Sequence, residues 1–256
     1  MTEPAPVGVS KVKQSGADAI RRLIKGLKVL REPGFRHALR RGVAASIEHD
    51  GISLPRNIAH VVDVGANRGQ FLTWASVRFP DARFECFEPF EESRSQLETV
   101  LPNGRSVNIH PVAIGETTDE HDFFITRADD SSSLFKPSST QLAAFPESQM
   151  VRTIKVPVRL LDDELDINQI ARPSLLKIDV QGGELGVLKG GRRTLDAIDY
   201  VLVECSFVEL YIGQPLVNDI IDFLEQHGFD LEGFYSPNCD ATGRLIQADA
   251  LFRRSV

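Results

Sequence analysis

Hydrophobic residues recur along the chain in two alternating patterns, and their order predicts an α/β fold. The run His60-Val-Val-Asp-Val-Gly-Ala66 is short, β-branched and closed by glycine, which is typical of a buried strand. Similar runs occupy 83–88, 107–114, 175–180 and 200–204. The segments 70–79, 91–100, 184–188 and 217–227 have helical spacing. Alternating strands and helices predict parallel pairing with right-handed crossovers.

Two regions depart from this rhythm. Residues 116–163 contain two strand-like runs, 121–126 and 153–158, and we interpret the region as an insertion on the sheet. The polar loop Asp129–Leu134 between these runs could close over a ligand or could be an ordinary surface loop. At the carboxyl end, 229–235 and 245–253 are predicted to form a closing antiparallel pair.

The amino-terminal segment has a different composition from the rest of the chain. Apolar residues recur at three- and four-residue steps over 17–31, with basic residues between them, so an amphipathic helix is predicted that ends before Pro33-Gly34. A second helix is expected over about 35–48. We therefore predict a basic helical extension over 1–50 and a catalytic domain over 51–256. The first helix could contact an anionic membrane or could pack on its own fold.

Composition and charge narrow the function classes. The chain has 256 residues, 42% hydrophobic and 25% charged, as in a soluble globular protein. Its net charge of −7 divides into +7 for residues 1–42 and −14 for the rest, and an acidic body disfavours nucleic acid as a partner. The chain has neither an apolar run of membrane-spanning length nor a secretory signal pattern. Three scattered cysteines fit a reducing compartment, so a cytoplasmic location is expected, with membrane contact through 17–31 as an option.

The first strand leads into a candidate nucleotide site. The segment Asp63-Val-Gly-Ala-Asn-Arg-Gly69 joins that strand to the next helix, and Glu88 ends the second strand. This is the layout of a doubly wound nucleotide site, in which the acid can accept hydrogen bonds from ribose hydroxyls. The glycine spacing G-x-x-x-G differs from the dinucleotide pattern, and a carboxylate at Asp63 suits a cationic group better than a diphosphate. These features favour S-adenosylmethionine over NAD.

Several segments then resemble the FkbM family of S-adenosylmethionine-dependent methyltransferases. The resemblance runs in order from about residue 58 to residue 254. Its motifs are VVDVGANRG (61–69), FECFEPF (84–90), PVAIG (111–115), SSSL (131–134) and LKIDVQGGE (176–184). Gln181 stands where the family pattern has Glu.

The resemblance implies a fold, an activity and a cofactor site. The fold would be the Rossmann-like class I methyltransferase fold: a seven-stranded, mostly parallel sheet with helices on both faces and the last strand antiparallel. The activity would be methyl transfer to a hydroxyl group of a sugar, a glycolipid or a polyketide-type natural product. The implied cofactor-binding residues are Asp63, Gly65, Asn67, Gly69, Glu88, Pro89, Phe90 and Ala113.

The acceptor hydroxyl must lose a proton, which a positioned base or a bound cation can assist. Asp179 and Glu204 end central strands, where open α/β sheets place their ligands, and are the leading catalytic candidates. His110 is an alternative base. Carboxylates without a His/Cys cluster would suit Mg²⁺ bound by Asp179 and Glu204, an expectation that Gln181 weakens. Lys177, which shares a strand face with Asp179, is interpreted as an ion-pair partner.

Two other functions stay open at this point. An NAD-dependent oxidoreductase or epimerase could use the same sheet, but the chain has no Tyr-x-x-x-Lys pair and no third glycine at the dinucleotide spacing. A scaffold protein could use the fold without catalysis. A homodimer is the default assembly.

Overall fold

Short apolar segments form the strands of two separate sheets in the computed structural model, which describes residues 31–100 and 106–255. The strands are β1 (His60–Val64), β2 (Arg83–Phe87), β3 (Val107–His110), β4 (Ala113–Ile114), β5 (Asp119–Thr126), β6 (Met150–Arg159), β7 (Ser174–Ile178), β8 (Tyr200–Ser206), β9 (Phe229–Cys239) and β10 (Leu245–Arg254). The first sheet has seven strands in the order β3-β2-β1-β7-β8-β10-β9. The second has three, in the order β4-β6-β5.

The seven-stranded sheet confirms the predicted topology. Strands β1, β2, β3, β7 and β8 pair in parallel, whereas β10 is antiparallel to both β8 and β9. The predicted closing pair at the carboxyl end is therefore confirmed. The chain reverses its order between β1 and β7, so that the carboxyl ends of β1, β2 and β7 meet at one edge, where ligands bind in such sheets.

Helices cover both faces of this sheet, as predicted. They are α1 (Pro33–Arg40), α2 (Gln70–Arg78), α3 (Glu91–Glu98), α4 (Ser139–Ala144), α5 (Leu161–Glu164), α6 (Glu184–Gly190), α7 (Arg192–Leu195) and α8 (Val217–Gln226). Short 3₁₀ helices span Ile47–Gly51, Asp129–Ser131, Pro146–Ser148 and Ile167–Gln169. Helix α2 packs on one face through Leu72 and Trp74, and helices α6 to α8 pack on the other.

The predicted single strand over 107–114 is wrong. The strand β3 ends at His110, and the chain resumes at Ala113 as β4 in the other sheet, where Ala113 pairs with Val158 of β6. Pro111 lies at the break, and proline has no backbone N–H to donate to a ladder. The predicted insertion consequently forms its own small sheet, in which β5 and β6 pair antiparallel.

The amino-terminal prediction is revised in part. Pro33 begins α1, consistent with the preference for proline in the first turn, and this helix ends at Arg40, well before the predicted residue 48. The domain was predicted to begin at residue 51. Residues 33–50 nevertheless pack on it, since Phe35, Val43 and Ile47 are buried in its core. The predicted helix over 17–31 lies outside the described residues, apart from Arg31.

Two further findings concern membrane-spanning helices and the cysteines. In the described part, no helix is both long and apolar enough to cross a membrane. Cys86 and Cys205 are buried, and Cys239 is exposed.

Candidate active site

A cavity of about 1370 Å³ opens at the carboxyl ends of β1, β2 and β7. Its walls come from the β1–α2 turn, the end of β2, the segment after β3, the turn after β7, the loop 129–135 and residues 44–49. Pockets for one small molecule occupy roughly 300–1,000 Å³. The cavity therefore has room for two molecules side by side, as a transfer reaction requires.

The β1–α2 turn lines this cavity and has an unusual backbone conformation. Gly65, Asn67 and Gly69 all have positive φ, at 82°, 47° and 86°. A side chain at Gly65 would place its Cβ 1.9 Å from the backbone oxygen of Asp179. This glycine therefore lets the turn lie directly against the end of β7.

Replacing Gly65 by alanine is expected to cost about 3 kcal/mol or more in free energy of unfolding, because backbone atoms of Asp179 must move. Gly243 provides the matched control, since it also has positive φ, 88°, but no atom lies within 4 Å of the position that a Cβ would take there. Its alanine variant should lose only about 1–2 kcal/mol. Urea unfolding of both variants checks the difference, and equal losses would contradict this packing argument.

Glu88 lies buried at the end of β2 and lines the cavity. Its two oxygens accept hydrogen bonds from the backbone N–H groups of Asn67 and Phe90, at 2.9 and 2.8 Å. Burial raises the pKa of this carboxyl to about 7. A carboxylate has about four lone-pair sites, so Glu88 can accept two further hydrogen bonds from a ribose diol.

The structure separates the eight predicted cofactor residues into two groups. Six line the cavity: Gly65, Asn67, Glu88, Pro89, Phe90 and Ala113. Asp63 and Gly69 are absent from its walls, since Asp63 is buried beneath the turn and Gly69 precedes α2 against Leu97 and Val100.

Asp63 instead forms a buried ion pair with Lys177 on the neighbouring strand. The Lys177 Nζ atom lies 3.1 Å from Asp63 Oδ1, 3.6 Å from Asp179 Oδ2 and 3.1 Å from the backbone oxygen of Gly65. Burial alone would lower the pKa of Lys177, but the two carboxylates outweigh it and raise this pKa. The ion-pair interpretation of Lys177 is confirmed.

Asp179 and Glu204 are brought together, as their strand ends predicted, and Gln181 joins them. The Gln181 Nε2 atom lies 2.8 Å from Asp179 Oδ1 and 2.7 Å from Glu204 Oε2. Asp179 lines the cavity with its side chain 37% exposed, whereas Glu204 is absent from the lining. Burial, followed by the charges of Asp179 and Asp249, raises the pKa of Glu204 well above its usual range.

His110 does not share this arrangement. Its Nε2 atom hydrogen-bonds Glu85 at 2.8 Å, its Nδ1 atom lies 3.6 Å from Glu164, and its ring stacks on Phe87. Both ring nitrogens face carboxylates, and the residue does not line the cavity. We therefore leave His110 out of the reaction proposed below.

The loop after β5 forms one wall of the cavity. Asp129, Asp130, Ser132 and Leu134 line it, and Arg68 from the β1–α2 turn forms an ion pair with Asp129. The Ser133 hydroxyl is buried and donates to the backbone oxygen of Gln181 at 2.6 Å. This loop is thus tied to the turns that follow β1 and β7.

Sequence reasoning missed His49, which lines the cavity from the amino-terminal segment. Its Nδ1 atom donates to the Ser46 backbone oxygen at 3.0 Å, and its Nε2 atom lies 3.4 Å from Asp249 of β10. Its ring packs against Phe71 and Trp74, which are both buried in the core. No motif surrounds His49, so no signal in the single sequence identified it.

The predicted Mg²⁺ site is not supported by a cluster of metal-binding side chains in the part of the chain that the structure describes. Within residues 31–100 and 106–255, no group of three or more His, Cys, Asp or Glu side chains is arranged to hold a metal ion. Asp179 and Glu204 face each other through an amide.

Together, the sheet order, the glycine turn and Glu88 at the end of β2 define a class I S-adenosylmethionine-dependent methyltransferase. The residues fit this cofactor, because Glu88 lines the cavity and can accept hydrogen bonds from its ribose hydroxyls. Residues 63–231 match the Methyltransferase FkbM domain. The chain belongs to the FkbM methyltransferase family, which decides against the NAD-dependent and scaffold alternatives.

The curated proteins that are similar to the chain include three methyltransferases. The 2-O-methyltransferase NoeI of Sinorhizobium fredii is 27% identical over 201 residues, 76% of this chain and 79% of that protein. Methyltransferase 1 of Beauveria bassiana is 29% identical over 56% of this chain and 63% of that protein. The hexuronic acid methyltransferase AglP of Haloferax volcanii is 26% identical over 56% of this chain and 54% of that protein.

Proposed function

We propose that the protein transfers a methyl group from S-adenosylmethionine to a hydroxyl group of a sugar-type acceptor. The observation that carries this proposal is one cavity containing both Glu88, suited to a ribose, and Asp179, suited to an acceptor proton. The names of two relatives, a 2-O-methyltransferase and a hexuronic acid methyltransferase, support a carbohydrate hydroxyl as acceptor.

The cofactor end of the cavity lies at β1 and β2. Glu88 would bind the ribose hydroxyls, Pro89, Phe90 and Ala113 would enclose the adenosine, and the Gly65–Asn67 turn would face the methionine part. When bound, S-adenosylmethionine supplies a methyl group on a positively charged sulfur, which needs little further activation. The chain mainly has to align the acceptor oxygen with that methyl group and exclude water.

Asp179 is the residue that we propose as general base. Its carboxylate is held between Gln181 and Lys177 and remains open to the cavity. An acceptor hydroxyl within hydrogen-bond distance of this carboxylate can pass its proton to it as the new carbon–oxygen bond forms. Glu204 does not reach the cavity lining, so we assign it a supporting part in holding Gln181.

The remaining walls favour a polar acceptor. Besides the residues assigned to the cofactor, they include the polar side chains Glu116, Thr117, His121, Gln214 and Asp219. Carbohydrates present many hydroxyl groups that such side chains can hydrogen-bond. The cation Lys189 is paired with Glu116 at 3.1 Å, so this part of the cavity carries little positive charge for an anionic acceptor.

The proposal is tested by measuring S-adenosylhomocysteine release over a panel of acceptors. The panel contains neutral mono- and disaccharides, uronic acids and the same compounds with their hydroxyls already methylated. We expect acceptor-dependent release with free hydroxyls and none with the blocked compounds. Release that is equally fast with blocked sugars would contradict a hydroxyl acceptor.

Cofactor affinity is expected to rise with pH through about 7, the pKa of Glu88. Ribose hydroxyls donate to the ionised carboxylate, so a ligand that requires this form gains up to about tenfold in affinity per pH unit below the pKa, then levels off. Calorimetric titration of S-adenosylmethionine from about pH 5.5 to 8.5 measures this. The Glu88→Gln variant should bind more weakly and without this pH dependence.

Glu184 offers the matched control for that titration. Burial also raises its pKa to about 7, but its carboxylate accepts the backbone N–H of Gly182 and does not line the cavity. The Glu184→Gln variant should retain the wild-type pH dependence of binding. A Glu88→Gln variant that also retains it would contradict the assignment of Glu88 to the ribose.

We further propose that the basic segment 17–31 contacts an anionic membrane surface, on its amphipathic composition alone. The full chain should float with vesicles containing phosphatidylserine but not with neutral vesicles. A chain of residues 31–256, which keeps the packed helix α1, should not float with either. Equal partitioning of both chains would end the membrane proposal.

Homodimer formation likewise stays a prediction.

A further inference from the structure

Gln181 lies between the carboxyl groups of Asp179 and Glu204. An amide nitrogen carries two protons, and Nε2 lies within hydrogen-bond distance of both Asp179 Oδ1 and Glu204 Oε2. The opposite amide orientation would direct the carbonyl oxygen at both carboxylates. The Tyr211 hydroxyl lies 2.7 Å from Oε1 and 2.9 Å from the backbone oxygen of Ser131, and its single proton can be donated to either oxygen.

The backbone of Gln181 is held as firmly as its side chain. Its φ of 58° lies in the left-handed region, which is costly for a residue other than glycine. The Ser133 hydroxyl donates to its backbone oxygen, and the next residue, Gly182, donates its N–H to Glu184. Contacts from three segments thus maintain a strained conformation beside the candidate base.

Neighbouring carboxylates are usually reconciled by a proton, by a bound cation or by hydrogen-bond donors. Here burial and the charge of Asp179 raise the pKa of Glu204, which favours a proton on that carboxyl, and the side-chain amide of Gln181 donates to one oxygen of each group. A divalent cation bridging Asp179 and Glu204 would have to displace this amide. The same contacts leave Asp179 Oδ2 on the side of Lys177, so the carboxylate has one fixed orientation.

We propose that Gln181 is a positioning residue whose side-chain amide takes the place of a bridging divalent cation between Asp179 and Glu204. Methyl transfer by this protein then proceeds without a metal, and Gln181 acts by orienting Asp179 toward the acceptor. This inference rests on the proposed function, because Asp179 is the base only in that reaction. The proposal has two halves: a structural half, in which the amide excludes a cation, and a catalytic half, in which the amide orients Asp179. The structural half can be tested without the reaction.

The Gln181→Glu variant tests both halves. It keeps the length of the side chain, removes both donors and adds a third carboxylate. With a chelator present, kcat should fall about 100-fold, as expected for a misplaced catalytic group, while KM for S-adenosylmethionine stays within about threefold. Without acceptor, the variant should bind Mn²⁺ at least about tenfold more tightly than the wild type, because three carboxylates now converge.

Two controls accompany this variant. Gln169→Glu adds the same charge at an exposed position and should change neither kcat nor Mn²⁺ binding. Tyr211→Phe keeps the amide but removes the hydroxyl bonded to it, so kcat should fall about tenfold, the size of one lost hydrogen bond, with little change in KM for the cofactor. Tyr211→Phe keeps the proposal testable if Gln181→Glu does not fold.

Several results would overturn the proposal or one half of it. Wild-type activity that disappears with chelator and returns with Mg²⁺ overturns the proposal, as does wild-type kcat in Gln181→Glu or in Tyr211→Phe. Failure of Gln181→Glu to gain Mn²⁺ binding overturns the structural half. Because Mn²⁺ binding is measured without acceptor or turnover, it decides that half even if the wild type proves to methylate no hydroxyl.

Discussion

Replacing Asp179 by asparagine is expected to lower kcat by about 100- to 10,000-fold, the usual contribution of a positioned base. The variant keeps an oxygen that can accept the Gln181 amide, so the local structure should persist. Binding of S-adenosylmethionine should change little, because Glu88 and the β1–α2 turn are untouched. Single-turnover assays with saturating cofactor, together with calorimetric titration, separate the two effects.

Asp130 supplies the control for the Asp179 variant. It is another carboxylate on the cavity wall, on the loop after β5, and it takes no part in the hydrogen bonds and ion pairs that hold Gln181 and Lys177. The Asp130→Asn variant should alter KM for the acceptor more than kcat. If Asp179→Asn turns over as fast as the wild type, Asp179 is not the base.

Replacing Lys177 by methionine is expected to cost about 3–5 kcal/mol in free energy of unfolding, because it leaves the buried Asp63 without its cation. The Lys177 and Asp63 side chains are 7% and 1% exposed, so solvent cannot compensate. Replacing both residues, Asp63→Asn with Lys177→Met, should recover most of the loss, since a neutral pair buries no charge. Urea unfolding of the two single variants and the double variant measures this coupling.

Lys189 gives the exposed comparison. Its ion pair with Glu116 has the same 3.1 Å separation, but the two side chains are 39% and 56% exposed. Lys189→Met should therefore cost about 1 kcal/mol or less. A Lys177→Met variant as stable as Lys189→Met would show that Asp63 does not depend on its buried cation.

Local patterns predicted the central sheet because its strands are buried on both faces. Strands such as β1 and β7 are buried along their whole length and are mostly apolar, so the sequence of each strand is enough to predict it. The ends of these runs also located Glu88, Asp179 and Glu204. The misplaced strand over 107–114 shows the limit, since Pro111 interrupts a run that reads as continuous.

The connections within the site could not be predicted, because they join residues far apart in the sequence. Gln181 was noted as a departure from a family pattern, but its two hydrogen bonds depend on the twist of the turn after β7. His49 reaches the cavity from the predicted amino-terminal extension over 1–50, just after its second predicted helix, and it lies beside Asp249 of the last strand. Such pairings follow from tertiary packing, which a single sequence does not record.

Methylation of a sugar oxygen can be observed directly with S-adenosylmethionine that carries a ¹³C-labelled methyl group. The protein is incubated with this cofactor and an accepted sugar, and the product is analysed by nuclear magnetic resonance. We expect a single new methyl ether carbon, attached to a sugar oxygen. The Asp179→Asn variant should not form it. A labelled methyl group on nitrogen or carbon, or a protein that binds the cofactor and transfers nothing to any hydroxyl, would contradict this expectation.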